Sequence, residues 1–315
     1  MKDQYFGVEV EMTGITREQA ARALADYFGT VPQRKPDPYR SWYVRDNEGK
    51  EWQLKNDSSL RKERKTEYGY EPTDLNAYSV EMVPPKLTYS ELPKFLECVR
   101  TVRRAGAKVN SSCGLHVHVD AANHNRQSLK NLLGIMYSKE DILFNALNVN
   151  PNRVNAYCKK VREPMLLQAR KLSSEETKDL TQLERIWYEG DVANTSHYNW
   201  TRYYALNLHS VFYRGTVEFR CFNSTLHAGR AAAYINLCLA ISAQAIAQRS
   251  TVLRKTKSDN ELFTFRVWLV RLGLNGPEFK HTRDHLLANL EGDRAWRYDK
   301  DRYEKKKSLH QEDQR

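Results

Sequence analysis

The chain has 315 residues, 40% hydrophobic and 28% charged, enough apolar material for a substantial core in one large domain or in a domain with an extension. Lys and Arg exceed Asp and Glu by +11, which asks for an anionic partner such as a nucleotide, an acidic polymer or nucleic acid. No run of about 18 apolar residues offers a membrane span, and the Met-Lys-Asp-Gln-Tyr-Phe-Gly start has no signal-peptide core.

Strict alternation predicts a first strand at 6–12. Thr16 then caps a helix with Ala20, Ala23, Leu24 and Phe28 at helical spacing, ended by Gly29. Residues 31–40 hold three prolines and read as a loop. Residues 41–45 and 50–55 read as paired strands around the Asn47–Gly49 turn. The charged stretch 56–76, with Gly69 and Pro72, is expected to be a mobile loop. A strand at 79–82 ends at Pro84-Pro85. Apolar spacing predicts helices near 88–105, 127–148, 173–189 and 227–248, the last apolar on most sides and therefore deeply buried. Strands follow from alternation at 114–120 and 216–221, the latter expected to pair with 205–212 through a turn at Arg214-Gly215. An apolar segment at 263–274 precedes Asn275-Gly276-Pro277 and a helix over 278–291, and the chain from Asp299 is polar and expected to fray. Five scattered cysteines without C-x-x-C spacing (Cys98, Cys113, Cys158, Cys221, Cys238) predict reduced thiols and a cytoplasmic location.

The four alternating strands share an unusual polar face. Phe6, Val8, Val10 and Met12 oppose Gly7, Glu9 and Glu11. Val80 and Met82 oppose Ser79 and Glu81. Leu115, Val117 and Val119 oppose His116, His118 and Asp120, and Val217, Phe219 and Cys221 oppose Thr216, Glu218 and Arg220. Alternation alone needs no function, because an antiparallel sheet with one wet side alternates anyway. The composition is what stands out: a solvated face mixes both charge signs, whereas Arg220 is the single cation here. So many carboxylates side by side repel one another unless divalent cations neutralise them, and an oxygen-rich set with an imidazole suits Mg²⁺ or Mn²⁺ better than zinc.

These residues resemble the amidoligase family, relatives of glutamine synthetase and glutamate–cysteine ligase. The matching pieces run in the family's order: Gly7-Val-Glu9-Val-Glu11, Asn56-Asp57-Ser58-Ser59-Leu60, Ser79-Val-Glu81-Met-Val-Pro84, Cys113-Gly-Leu-His116-Val-His118-Val-Asp120 and Thr216-Val-Glu218-Phe-Arg220. The resemblance implies an α+β fold like that of glutamine synthetase, a curved antiparallel sheet with helices on its convex face. It also implies ADP-forming ligation of a carboxylate to an amine through an acyl phosphate, with ATP and two or three Mg²⁺ or Mn²⁺ ions. Carried over residue by residue, Glu9, Glu11, Glu81, His116 and Glu218 are the implied metal ligands, and His118 and Arg220 the implied contacts of the transferred phosphate. Asp57 falls at the family's D-x-S-L position, here Asp-Ser-Ser-Leu, with a role in metal or amine binding. On this reading 1–250 form the catalytic domain, 251–298 a helical extension packed on it and 299–315 a disordered tail. Residues 223–315 carry no motif that names the substrates, which the family draws from peptides, proteins or cell-wall material.

Several further residues invite weaker assignments. Asn207 and His209 are placed on one strand face, within reach of the nucleotide, although a structural role fits them equally. The basic residues of 61–65 are expected to close over the nucleotide. Trp42, Tyr43 and Trp52 read as core, and Cys113 lacks the relay partners of a nucleophile. Two other functions compete. A metal-dependent phosphodiester hydrolase or nuclease would use the same carboxylates without ATP. A basic nucleic-acid-binding protein would exploit the net charge, but an acidic sheet face repels phosphates.

Overall fold

The computed structural model describes residues 1–38, 40–173, 177–190, 196 and 198–297. Its centre is an eight-stranded sheet in which every hydrogen-bonded neighbour runs antiparallel. The sheet strands are β1 (Phe6–Met12), β2 (Gln33–Arg34), β3 (Trp42–Arg45), β4 (Glu51–Lys55), β7 (Val80–Val83), β8 (Gly114–Asp120), β9 (Leu206–Asn207) and β10 (Thr216–Asn223). They lie in the order β2-β3-β4-β7-β1-β8-β10-β9, and β5 (Glu63–Thr66) with β6 (Gly69–Pro72) forms a separate hairpin. Together with the helices this is the α+β class expected from the sequence.

Alternation decides the two faces. Phe6, Val8, Val10 and Met12 of β1, Val80 and Met82 of β7, Leu115, Val117 and Val119 of β8, and Val217 and Phe219 of β10 are all buried in one continuous core. Burying each such side chain contributes about 1.5–3 kcal/mol. The helices covering the core include α1 (Arg17–Phe28), α2 (Leu92–Arg104) and α8 (Ala228–Ala247), with α2 packed against both of the others, α1 against β3 and β4, and α8 against β8. Helix α1 forms where expected: Thr16 and Gln19 make a reciprocal capping box, and Gly29 closes it in the left-handed conformation at φ 68°. Helix α8 is long and apolar enough to cross a membrane by length and composition, but it packs against the sheet and against α3 (Arg126–Leu147), so the core itself accounts for its apolar surface.

The remaining helices are α4 (Pro151–Ala156), α5 (Glu163–Lys171), α6 (Thr181–Trp187), α7 (His209–Arg214), α9 (Glu261–Arg271) and α10 (Lys280–Leu287); α10 packs on α8 and α9 on α3. Five expectations need correction. The stretch 31–40 is not a loop throughout, because Gln33–Arg34 form β2 and pair with Trp42 and Tyr43 of β3. The stretch 56–76 is not a loop throughout, because it folds into β5 and β6, tied to the sheet by Gly14 N donating to Glu63 O at 2.9 Å. Of 205–212 only Leu206–Asn207 form a strand against β10, since 209–214 turn into α7, capped by Gly215 at φ 72°. Of 173–189, only Thr181–Trp187 are helical among the described residues, and 174–176 lie outside them. Short α4 and α5, each with proline in the first turn, had no expected counterpart. The fraying expected from 299 onward also lies outside the described residues.

Candidate active site

Strand register decides which polar side chains meet. Glu9 lies opposite His116 across β1 and β8, and Glu11 lies opposite Glu81 across β1 and β7. Glu218 on β10 lies opposite both His118 and Asn207 on its two neighbours. Lys55 on β4 completes the row opposite Glu81. Beyond Phe219 the register of β10 against β8 slips, so Phe219 faces Val117 while Phe222, not Cys221, faces Leu115. That bulge leaves Arg220 on the polar face with Glu218 and returns Phe222 to the core, where it stacks on Tyr234.

Above this face opens a cleft of about 610 Å³. Its floor carries Glu9, Glu11, Glu81, His116, Glu218 and Arg220, and the segment after β4 adds Asn56 to Ser59 at the rim. Glu9 Oε2 is hydrogen-bonded to His116 Nδ1 at 3.1 Å, while its Oε1 stands 3.4 Å from His118 Nε2 at ion-pair distance without a hydrogen bond. Glu218 accepts from Asn207 Nδ2 at 2.7 Å and from Arg220 Nη1. His116 Nε2 stands 3.7 Å from Glu11 Oε1, whose other oxygen accepts from the Gly114 amide. Ligand atoms of Glu9, His118 and Glu218 lie within 4.8 Å of one another, and the same holds for Glu11, Asp57 and Glu81.

The two groups differ electrostatically. Burial pushes the Glu218 carboxyl up, but Arg220 and then His118 outweigh it and hold it down to about 2. Glu9 is likewise held well below the usual range, its desolvation outweighed by His118 and His116. Burial and the neighbouring Asp57 instead push Glu11 up to about 8, and burial with the adjacent Glu9, Asp57 and Glu11 carboxylates raises Glu81 well above its ordinary value. His116 is driven down to about 4 by burial and by Arg220, so its ring is neutral. His118 is raised, because Glu218 and Glu9 overcome its burial.

Seven buried polar atoms here have no hydrogen-bond partner: Ser41 Oγ, Asn56 Oδ1, His118 Nε2, Arg153 Nε, Asn207 Oδ1, His209 Nε2 and Arg220 Nε. Buried polar atoms normally find partners, so this concentration marks a place built to receive a polar ligand. The donor set also fits hard divalent cations. It is oxygen-dominated, one imidazole nitrogen is unpartnered, and the Glu11, Asp57 and Glu81 side has carboxylates in excess.

The family model described as "Putative amidoligase enzyme" matches residues 2–242 of this chain. The chain belongs to the amidoligase family. Among curated proteins nothing matches it. The family's description is that of an amide-forming ligase.

Of the residues the sequence singled out in this amidoligase, Glu9, Glu11, Asp57, Glu81, His116, Asn207, Glu218 and Arg220 line the one cleft, and His118 Nε2 stands 3.4 Å from Glu9 and 3.9 Å from Glu218. His209 lines it too, but from helix α7 rather than from a strand. Asp120 does not line it, since its carboxylate pairs with Lys86 and caps the amide of Ala122. The basic residues of 61–65 do not line it either; Arg61 and Glu63 are tied instead to Ser112 and Thr13. Trp52 is fully buried, as expected of core, with its indole donating to Asp46. Cys113 is buried, and its thiol is pushed up to about 11 by desolvation, which rules against nucleophilic use. Sequence reasoning missed a wall of Arg153, Tyr157, Arg202, Tyr203, Tyr213 and Arg214. These come from helices and turns, where no alternation marks the inward side. The spacing of Arg202-Tyr203 and Tyr213-Arg214 on either side of β9 is the one signal that could have found them.

Proposed function

We propose that the chain joins a carboxylate to an amine at the expense of ATP, through an acyl phosphate, in the manner of glutamine synthetase and glutamate–cysteine ligase. The observation that carries this reading is the meeting of two carboxylate-centred groups, Glu9–His118–Glu218 and Glu11–Asp57–Glu81, on one sheet face beside a buried arginine. Each group takes a Mg²⁺ or Mn²⁺ ion. This reading moves a ligand role from His116, which is engaged with Glu9, to His118, whose Nε2 is unpartnered. Bound divalent ions supply charge neutralisation between the triphosphate and the substrate carboxylate.

The remaining work falls to the protein's own groups. Arg220 is fixed through Nη1 by Glu218 and keeps Nε without a partner, so its fork is aimed and ready for an oxygen of the transferred phosphoryl group. The substrate carboxylate attacks the γ-phosphorus, ADP departs, and the amine then displaces phosphate from the acyl carbon. Arg214, 3.7 Å from Glu9, and Arg153 add positive charge on the wall where the nucleotide lies. Asp57, at the rim, completes the Glu11–Glu81 group as its third carboxylate. Neutral His116 spaces the carboxylates without adding charge to the site.

The test is ADP release with Mg²⁺ or Mn²⁺ across a panel of acid and amine pairs. The expected result is ADP formation that requires the cation, the acid and the amine and disappears in a folded Glu218→Ala variant. Phosphodiester cleavage without nucleotide would favour the hydrolase reading instead. Full activity in both Glu9→Gln and Glu218→Ala would remove the metal groups from the mechanism.

A further inference from the structure

A second cleft, of about 450 Å³, shares no lining residue with the first, and nearly all of it is built from residues beyond the 2–242 stretch that matches the family. Its cations are Lys139 on α3, Arg254, Lys255 and Lys257 on the segment before α9, Arg271 on α9, and Arg297. No acidic side chain lines it among the described residues. Thr256 fixes the segment across α3, its amide donating to Ser138 O at 2.9 Å and its hydroxyl accepting from Lys139 Nζ at 2.7 Å. Trp268 closes the floor, with its indole anchored on Gln244 and its ring 5.7 Å from Lys139 Nζ.

Charge on a protein surface is normally interspersed in both signs, and this cleft is not. Lys255 is answered by Asp141 at 3.2 Å. Lys139, Arg254, Lys257 and Arg271 have no carboxylate within ion-pair distance among the described residues. Lys139 is lowered from its ordinary value by burial and by Arg271, so the pair repels in the free protein. An arrangement that gathers cations into a concave site, immobilises one against a hydroxyl and excludes acids is costly unless an anion completes it.

We propose that this cleft binds a compact, multiply charged phosphate compound of the di- or triphosphate class. The volume falls in the range of small-molecule sites, and the cations converge on a concavity rather than run along a stripe, which sets a small ligand above a nucleic-acid strand. The proposal is independent of the chemistry at the sheet face, because none of these residues lines the other cleft.

The test is calorimetric titration of the full chain with inorganic tripolyphosphate at low salt and without divalent cation. It compares the natural sequence with the triple variant Arg254→Gln, Lys257→Gln, Arg271→Gln, whose three positions are exposed. The expected result is saturable binding that weakens with salt, and at least about a tenfold loss of affinity in the variant, since each charge-assisted hydrogen bond contributes that much. The thermal midpoint of the unliganded variant should equal or exceed that of the parent, because the substitutions relieve repulsion. Absence of saturable binding, or equal affinity in the variant, overturns the proposal. So does a single-stranded oligonucleotide that binds through these residues while tripolyphosphate does not.

Discussion

Arg220 shows how one side chain can serve structure and chemistry at once. It is 4% exposed, bonded to Glu218 and 3.4 Å from His116, and it is the group that keeps Glu218 ionised in a buried site. Replacing it by Ala would strand a buried carboxylate and cost stability, so Arg220→Lys is the sharper probe. A lysine keeps the charge and loses the planar fork, and turnover should fall by about 10²–10³ with the fold intact. Near-normal ADP release by that variant would take Arg220 out of the reaction. Glu140 offers a separate test of burial on α3. One of its oxygens accepts from the Val161 amide at 2.9 Å, the other has no partner, and desolvation raises its carboxyl to about 7 from the ordinary 4.5. With the folded value above the unfolded one, the folded state binds the proton more tightly. Stability is therefore fully present below about pH 4.5 and is lost as pH rises to about 7, by up to about 3 kcal/mol. Glu140→Gln should flatten urea-derived stability across that window, whereas an unchanged slope would show that another group sets it. At this scale the sheet-face residues were legible, because period-two alternation places Glu9, Glu11, Glu81, His116, Glu218 and Arg220 on one side. The arginine and tyrosine wall was not, since residues on turns and short helices carry no such period.

Elements with their own signals matched the structure, and those shaped by packing did not. Thr16, Gln19 and Gly29 specify the ends of α1 locally, and Thr16→Ala should cost about 1 kcal/mol in thermal or urea unfolding. A loss near zero would mean that packing alone holds the first turn. The segment 209–214 misled because its apolar Val211 and Phe212 suit a strand as well as a helix, while the left-handed Gly215 that ends α7 resembles a hairpin turn in sequence. The β10 bulge was also invisible, because Cys221 and Phe222 are both apolar and either could continue the alternation. Gly114 ties an element to the site. A Cβ there would collide with the Arg153 guanidinium, which bonds to Ser112 O at 3.3 Å. Gly114→Ala should push Arg153 out of the cleft and raise the KM for nucleotide more than it lowers kcat; an effect on thermal stability alone would confine Arg153 to a structural part.

For the molecule as a whole, the +11 charge did not reveal its reason in composition, because it is divided between places with different chemistry. The sheet-face cleft balances carboxylates against Arg153, Arg214 and Arg220, while the cleft beside α9 gathers cations with no acidic lining residue among the described residues. The core is continuous from β1 to α10, so the segment after α8 is packed on the sheet-bearing part rather than tethered to it.

The claim on which the rest depends is that Glu9, His118 and Glu218, and separately Glu11, Asp57 and Glu81, each hold a divalent ion. Manganese titration followed by electron paramagnetic resonance counts bound ions directly in the parent chain, in Glu9→Gln/Glu218→Gln and in Glu11→Gln/Glu81→Gln. Saturable binding is expected in the parent, with each double variant losing one class of bound ion while staying folded. No bound manganese in the parent, or the same stoichiometry in all three proteins, would contradict it.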